Sequence, residues 1–120
     1  MTLTEFNAYC GSLPHTNLAR QWNNAWVWKV DVKLFAAAWE RGCGLEITFK
    51  ASDIGFEVLQ DMPGLRPAPY MASRGMKWIQ QYDEPGLDDD SLREHLLASY
   101  QMVSRNLTKK RQKELGLNQD

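Results

Sequence analysis

Basic side chains recur where this sequence reads as strands and hairpins: Lys29, Lys33, Arg41, Lys50, Arg66, Arg74 and Lys77. Cationic groups on an extended surface neutralise phosphates and release condensed counterions, which gives affinity without reading a base sequence. Lys29, Lys33, Lys50 and Lys77 stand opposite large apolar residues and are the expected phosphate contacts, with Arg41 and Arg74 as auxiliaries near hairpin ends and Arg66 in a proline-containing loop. Trp22, in a polar loop beside Arg20 and Gln21, and Tyr70, between the prolines and the last strand, are the aromatic rings expected at the surface. Exposed rings of this kind stack on unpaired bases. Four engaged phosphates would give a log–log salt slope of roughly −4. Asp31, Glu40 and Glu46 lie among the bases and lower the local potential. An ordinary solvated strand face is the competing reading, and residue types alone leave it open.

Other chemistries find less support. His15 falls in a loop and His95 on the acidic side of a helix, neither beside a nucleophile. Cys43 lies between two glycines at a hairpin tip, with no base to activate it. Asp88, Asp89 and Asp90 precede a helical pattern, where carboxylates complement the macrodipole. No glycine loop that would cradle phosphate is present. The expectation is therefore a binding protein without enzymatic activity, cofactor or metal. Cys10 and Cys43 could pair, but with no basic, apolar leader at the N-terminus free thiols in the cytoplasm are expected. The longest apolar run, Leu34 to Trp39, falls far short of the ~20 residues that span a bilayer.

Lys and Arg number 14 against 15 Asp and Glu, a net charge of −1. Domains that bind nucleic acid through global charge have a pI above about 9, and this chain has a pI near 6.1. The balance conceals segregation. The stretch between Asp61 and Asp83 holds bases and no acid, Asp83 to Glu94 is strongly acidic, and the stretch from Glu94 to Glu114 is basic again. Lys109, Lys110, Arg111 and Lys113 read as a solvated helix end, with a nucleic-acid patch as the sharper alternative.

These residues need elements to position them. Thr2 and Glu5 form a capping-box pattern ahead of Leu3, Phe6 and Cys10, so a first helix is expected, ended by Gly11 and Pro14. Residues 14–25 show no period and read as a surface loop. Strands are expected at Trp26–Val30, Lys33–Trp39 and Leu45–Lys50, with Trp26, Trp28 and Val30 on one face and Val27 and Lys29 on the other. A second helix over about 52–61 would bury Ile54, Val58, Leu59 and Met62. Pro67 and Pro69 confine any strand near them to an edge. Residues 75–82 read as a last strand. Leu92, Leu96, Tyr100, Val103 and Leu107 mark a long final helix, and residues 108–120 read as a polar tail. The order α-β-β-β-α-β-β-α describes one α+β domain over residues 1–120. It is a two-layer sandwich, with helices on one face of a mainly antiparallel five-stranded sheet. Trp26, Trp28 and Trp78 are expected to face the helices. Val27, Ala36 and Ala38 would leave the open face partly apolar, which suits the rival reading of a protein-interaction or adaptor module, or a homodimer.

Several segments carry a resemblance. Thr4 to Pro14, Val27-Trp28-Lys29-Val30 followed by Lys33-Leu34-Phe35-Ala36, Phe49-Lys50, Arg66-Pro67-Ala68-Pro69-Tyr70, Lys77-Trp78-Ile79 and Ser99 to Val103 resemble, in order and spacing, the MmcQ/YjbR family of small bacterial proteins. The resemblance covers about residues 3–115. It implies a fold similar to type III secretion chaperones and DNA binding through a proposed pair of hairpin wings. The family's first hairpin usually turns on Gly-Gly. Here Asp31-Val32 takes its place, and valine disfavours the positive φ of a tight primed turn.

Overall fold

A computed structural model describes residues 1–42, 44–71 and 74–119; Cys43, the hairpin-tip thiol, lies outside them. The capping box forms as its residue types require. The Thr2 hydroxyl accepts the Glu5 N–H at 3.1 Å, and the Glu5 carboxylate accepts the Thr2 N–H at 2.9 Å. It starts α1 (Leu3–Ser12), which buries Phe6 and Cys10. Four strands follow: β1 (Thr16–Gln21), β2 (Ala25–Val30), β3 (Lys33–Arg41) and β4 (Gly44–Lys50). Ser52 caps α2 (Asp53–Leu59), after which come β5 (Leu65–Pro67), β6 (Trp78–Gln81), α3 (Asp89–Ser104) and α4 (Lys109–Leu115).

The strands form one antiparallel sheet in the order β1-β2-β3-β4-β6-β5. The α+β class holds, with six strands in place of five. The additional strand is β1, in the segment read as a loop. It is an edge strand with Leu18 41% exposed, so it needs no apolar face and carries no period-two signal. The segment read as a polar tail contains α4, whose Gln112 is buried and donates to the carbonyls of Leu107 and Arg105 at 2.7 and 3.2 Å.

Cross-strand register fixes the two faces. Trp28 pairs with Ala36, Ala36 with Phe49 and Phe49 with Ile79, and this row lies under the helices. Phe6, Cys10, Phe56, Leu59, Leu92, Leu96, Tyr100 and Val103 close over it. A bulge between Trp28 and Lys29 leaves Phe35 without a register partner and turns it into the same core. There its ring meets Tyr100 edge-on, with centroids 5.4 Å apart. The α2 stripe differs from expectation: Phe56 and Leu59 are buried, while Ile54 and Val58 are 80% and 61% exposed. Phe56 and Leu59 share the face turned to the core, which sets the rotation of this short helix and leaves Ile54 and Val58 outside. Trp28 is core, and its indole N–H donates to Asn7 Oδ1 at 2.9 Å. Trp26 is only half-buried, with the Arg20 guanidinium 3.7 Å above its ring. Trp78 is buried but shares the strand face of Gln80, away from Ile79 and the helical layer.

Candidate functional site

The reverse face of the sheet is a concave surface built on small and polar residues. Its central row runs Val27, Ala37, Thr48, Gln80, Arg66 across β2, β3, β4, β6 and β5. Ala25, Val27 and Ala37 are fully buried, flanked by Leu34 and Trp39. The alanine of this face is Ala37; Ala36 and Ala38, expected here, belong to the helix-side core because they pair with Trp28 and Trp26. Short side chains along the row leave a groove of about 860 Å³.

Trp22 forms one rim. It lies in the β1–β2 turn, where Trp22, Asn23 and Asn24 all take positive φ, at 48°, 59° and 67°. Asparagine tolerates this region, whereas tryptophan there costs roughly 1–2 kcal/mol. Two hydrogen bonds hold the turn: the Trp39 indole N–H donates to the Trp22 carbonyl, and the Arg20 guanidinium to the Asn24 carbonyl, both at 3.0 Å. Tyr70 forms the facing rim, in the connection between β5 and β6. Its φ is 69°, and the Met71 N–H donates to the Pro69 carbonyl across it at 2.8 Å. That is the strained form of γ-turn. The Met71 carbonyl accepts the N–H groups of Arg74 and Met76, both at 3.1 Å, which closes the loop over the sheet. Both rings stay open to solvent, Trp22 at 50% and Tyr70 at 84%.

Arginines supply the charge. Arg41 Nε lies 3.0 Å and Arg66 Nη2 3.6 Å from the two oxygens of Glu46. Arg66 also donates twice to Gln80 Oε1, at 2.9 and 2.6 Å, and its guanidinium sits 4.3 Å from the Tyr82 ring centroid. Gln80 Nε2 in turn donates to Thr48 Oγ1 at 3.3 Å. Arg74 lines the same groove, is exposed, and forms no ion pair among the described residues. Glu46 is the one carboxylate among the described lining residues, against Arg41, Arg66 and Arg74.

The YjbR family model matches residues 11–102. The chain belongs to the YjbR family. Every groove residue named above lies within the matched segment, whereas α4 lies beyond it. The fold is similar to the crystal structure of the Deinococcus radiodurans protein DR2400, which has a DUF419 domain, at a TM-score of 0.84 and 23% identity over 97% of this chain and 88% of that one. It is also similar to a Pseudomonas syringae protein, at a TM-score of 0.68 and 18% identity over 86% of this chain and 99% of that one. No curated protein matches the sequence.

In this YjbR chain the structure gathers Trp22, Arg41, Arg66, Tyr70 and Arg74 and separates the four lysines. Lys29 lies on the groove's side of the sheet, opposite Leu34. Lys33 is exposed at the β2–β3 hairpin, paired with Val30. Lys50 lines a separate depression of about 310 Å³ with Ser52, His95, Gln101 and Arg105. The Lys77 ammonium is 4.9 Å from the Phe56 ring centroid, towards α2. The four lysines thus form no common patch, while the three arginines share one groove. Thr48, Gln80, Trp39, Met71 and Met76 also line the groove without having been singled out from sequence, and Glu46 was named only as an acid that lowers the local potential. Gln80 carried a usable signal, as an amide between Ile79 and Gln81 in a strand that pairs on both sides.

The tip of the β2–β3 hairpin is equally particular. Asp31 takes φ 55° and Val32 does not take positive φ, so a turn with both central residues left-handed is not formed. Arg111 of α4 grips the Asp31 carboxylate at 2.9 and 3.2 Å. The hydrogen bond from Arg111, more than its charge, holds the Asp31 carboxyl below its ordinary range, and the same bond raises Arg111. His95 stacks on Phe49 with centroids 5.5 Å apart, and burial lowers its pKa. Burial pushes the Cys10 thiol far up, which makes it inert. No group of His, Cys, Asp or Glu that could hold a metal occurs among the described residues, and no described helix is long and apolar enough to cross a membrane.

Proposed function

We propose that this YjbR-family chain binds DNA weakly through the groove on the reverse face of its sheet, as a binding module and not an enzyme. The supporting observation is the convergence of Arg41, Arg66 and Arg74 on one concavity that also carries exposed aromatic rings. Guanidinium groups offer a planar fork of donors matched to phosphate oxygens. Arg74 is available directly, while Arg41 and Arg66 must exchange Glu46 for phosphate, which keeps the affinity low. The β2–β3 hairpin tip contributes little, because Asp31 places a carboxylate there and Arg111 is engaged in neutralising it.

The test is fluorescence anisotropy of a labelled oligonucleotide over a salt series. Three phosphate contacts give a log–log slope of roughly −2 to −3. An Arg41→Gln, Arg74→Gln double variant should fall to roughly −1, since only one contact remains. Arg66 is left in place because it also ties Gln80 to Tyr82. A wild-type protein that does not bind at low salt, or a variant with unchanged slope, would overturn the proposal. The second reading is a protein partner, favoured by Ile54 and Val58 standing exposed one turn apart on α2. It predicts association that is insensitive to salt and is lost on Ile54→Ser, Val58→Ser substitution.

A further inference from the structure

We infer that the groove is built for unpaired bases, so that its preferred ligand is single-stranded DNA. The inference rests on the DNA-binding reading above and adds the form of nucleic acid it selects. The argument begins with the cost of the rims. Trp22 and Tyr70 are large residues in left-handed backbone, a conformation that persists only where the surroundings over-determine it. Each is fixed by local hydrogen bonds, through the Trp39 indole in one case and the Pro69–Met71 turn in the other. The outcome in both cases is a ring displayed to solvent instead of buried, although burial is what an aromatic side chain ordinarily gains from folding. Two independent strained turns thus present a π-face to the same groove.

Geometry fixes what the rings can hold. Trp22 springs from the β1–β2 turn and Tyr70 from the β5–β6 connection, which belong to opposite halves of the sheet. Three inter-strand gaps separate β2 from β6, a lateral distance of roughly 14 Å. Parent strands set this far apart favour a separate base on each ring over one base held between the two. Each offers a platform for one base, and the chain between them crosses Arg41 and Arg66, whose guanidiniums can take its phosphates. A duplex keeps its bases stacked on one another and presents only its outer phosphates to such a groove, so it forgoes both platforms. Sequence preference is not expected, since every base has a π-face.

The experiment compares three ligands of equal length on the same protein: a labelled dT strand, the same strand made abasic, and a duplex. The dT strand should bind more tightly than the abasic strand by about 5- to 150-fold for each base that stacks. Trp22→Asn and Tyr70→Asn should each remove much of that difference while leaving the salt slope unchanged. Asparagine accepts the left-handed backbone, so both turns persist. Trp22→Phe and Tyr70→Phe should retain most of it. Equal binding of dT, abasic strand and duplex, with the arginine dependence intact, would overturn the inference and leave the DNA reading standing. Absence of binding to all three at low salt would overturn both. The ligand comparison needs no variant, so a variant that fails to fold does not remove the test.

Discussion

Ser99→Ala removes one oxygen from the centre of the molecule, and the structure states what that oxygen does. Ser99 is fully buried on α3. Its hydroxyl donates to the Phe35 carbonyl at 2.6 Å and accepts the Lys50 N–H at 2.9 Å, joining the long helix to β3 and β4 at once. Both backbone groups depend on it for sheet-related reasons. Phe35 is the bulge residue, outside the register of either neighbouring strand, and Lys50 ends β4. Alanine fits the space but leaves a donor and an acceptor unpaired where water has little access. A typical hydrogen bond contributes about 1 kcal/mol net, whereas each orphaned buried group costs about 1–3 kcal/mol. With two groups orphaned, the expected loss is about 2–6 kcal/mol. Ser104→Ala provides the comparison, because Ser104 is also buried but donates within its own helix, to the Gln101 carbonyl at 2.9 Å, and accepts only from the exposed Asn118 amide at 3.2 Å, which water can satisfy. That change should cost about 1 kcal/mol or less. Urea unfolding followed by tryptophan fluorescence measures both, with ΔΔG taken from the shift in midpoint at unchanged m. If Ser99→Ala shifts the midpoint no further than Ser104→Ala, the bridge is not what joins helix to sheet.

Gly64 should be the least replaceable glycine. At φ 87° a Cβ would run into the Asp83 carbonyl and the Gly86 N–H, so Gly64→Ala should cost about 2–5 kcal/mol, against about 1 kcal/mol for Gly75→Ala at φ 77° in open space; thermal melts rank the two. Glu5 and Asp88 at helix starts, Asp31 and His95 all have depressed pKa values, so each makes stability fall in acid; Asp31 and His95 give the tests. Asp31 has a depressed pKa in the folded state, so its pairing stabilises above the ordinary carboxylate range and is lost as acid protonates it; Asp31→Asn should flatten the urea midpoint between about pH 5 and pH 2. His95 is also depressed, by burial, so the unfolded chain takes up its proton first and stability falls as pH drops below about 6.5; His95→Phe should remove that slope. Glu46→Gln frees Arg41 and Arg66 from their shared carboxylate. It should strengthen DNA binding at low salt several-fold, and a weaker variant in the anisotropy titration would mean that Glu46 acts by holding the arginines in place.

What the sequence revealed follows from which residues report burial. The α3 stripe of Leu92, Leu96, Tyr100 and Val103 is entirely buried, because a long helix against a sheet must repeat its apolar contacts at helical spacing; Leu107, read as its last member, is buried too but lies beyond the helix end at Ser104. β3 carries apolar residues on both faces, as its place between β2 and β4 requires. β1 was illegible because an edge strand forms from its neighbour's hydrogen bonds, and Thr16, Asn17 and Arg20 contribute no apolar pattern. The α2 stripe misled because Ile54, Val58 and Leu59 obey helical spacing as well as Phe56 and Leu59 do, and seven residues do not repeat often enough to choose between them.

The candidate residues named from sequence divide by place in the fold. Arginine and exposed aromatic rings were expected at the surface, and they converge. The lysines were assigned by strand alternation alone, which specifies a face and not a neighbourhood. Alternation places Lys29 on the groove side, yet Lys50 and Lys77 lie at strand ends, where the chain turns towards α2 and α3 and carries their side chains away. Nothing in local sequence could have shown that the connection after Pro67 folds back over the sheet, since that depends on the Met71 carbonyl collecting the N–H groups of Arg74 and Met76. The groove exists because that loop and the Trp22 turn, 48 residues apart in the chain, both accept backbone strain on the same side. A charge count along the sequence records neither strain nor side, which is why a chain of net charge −1 can still hold a cationic groove.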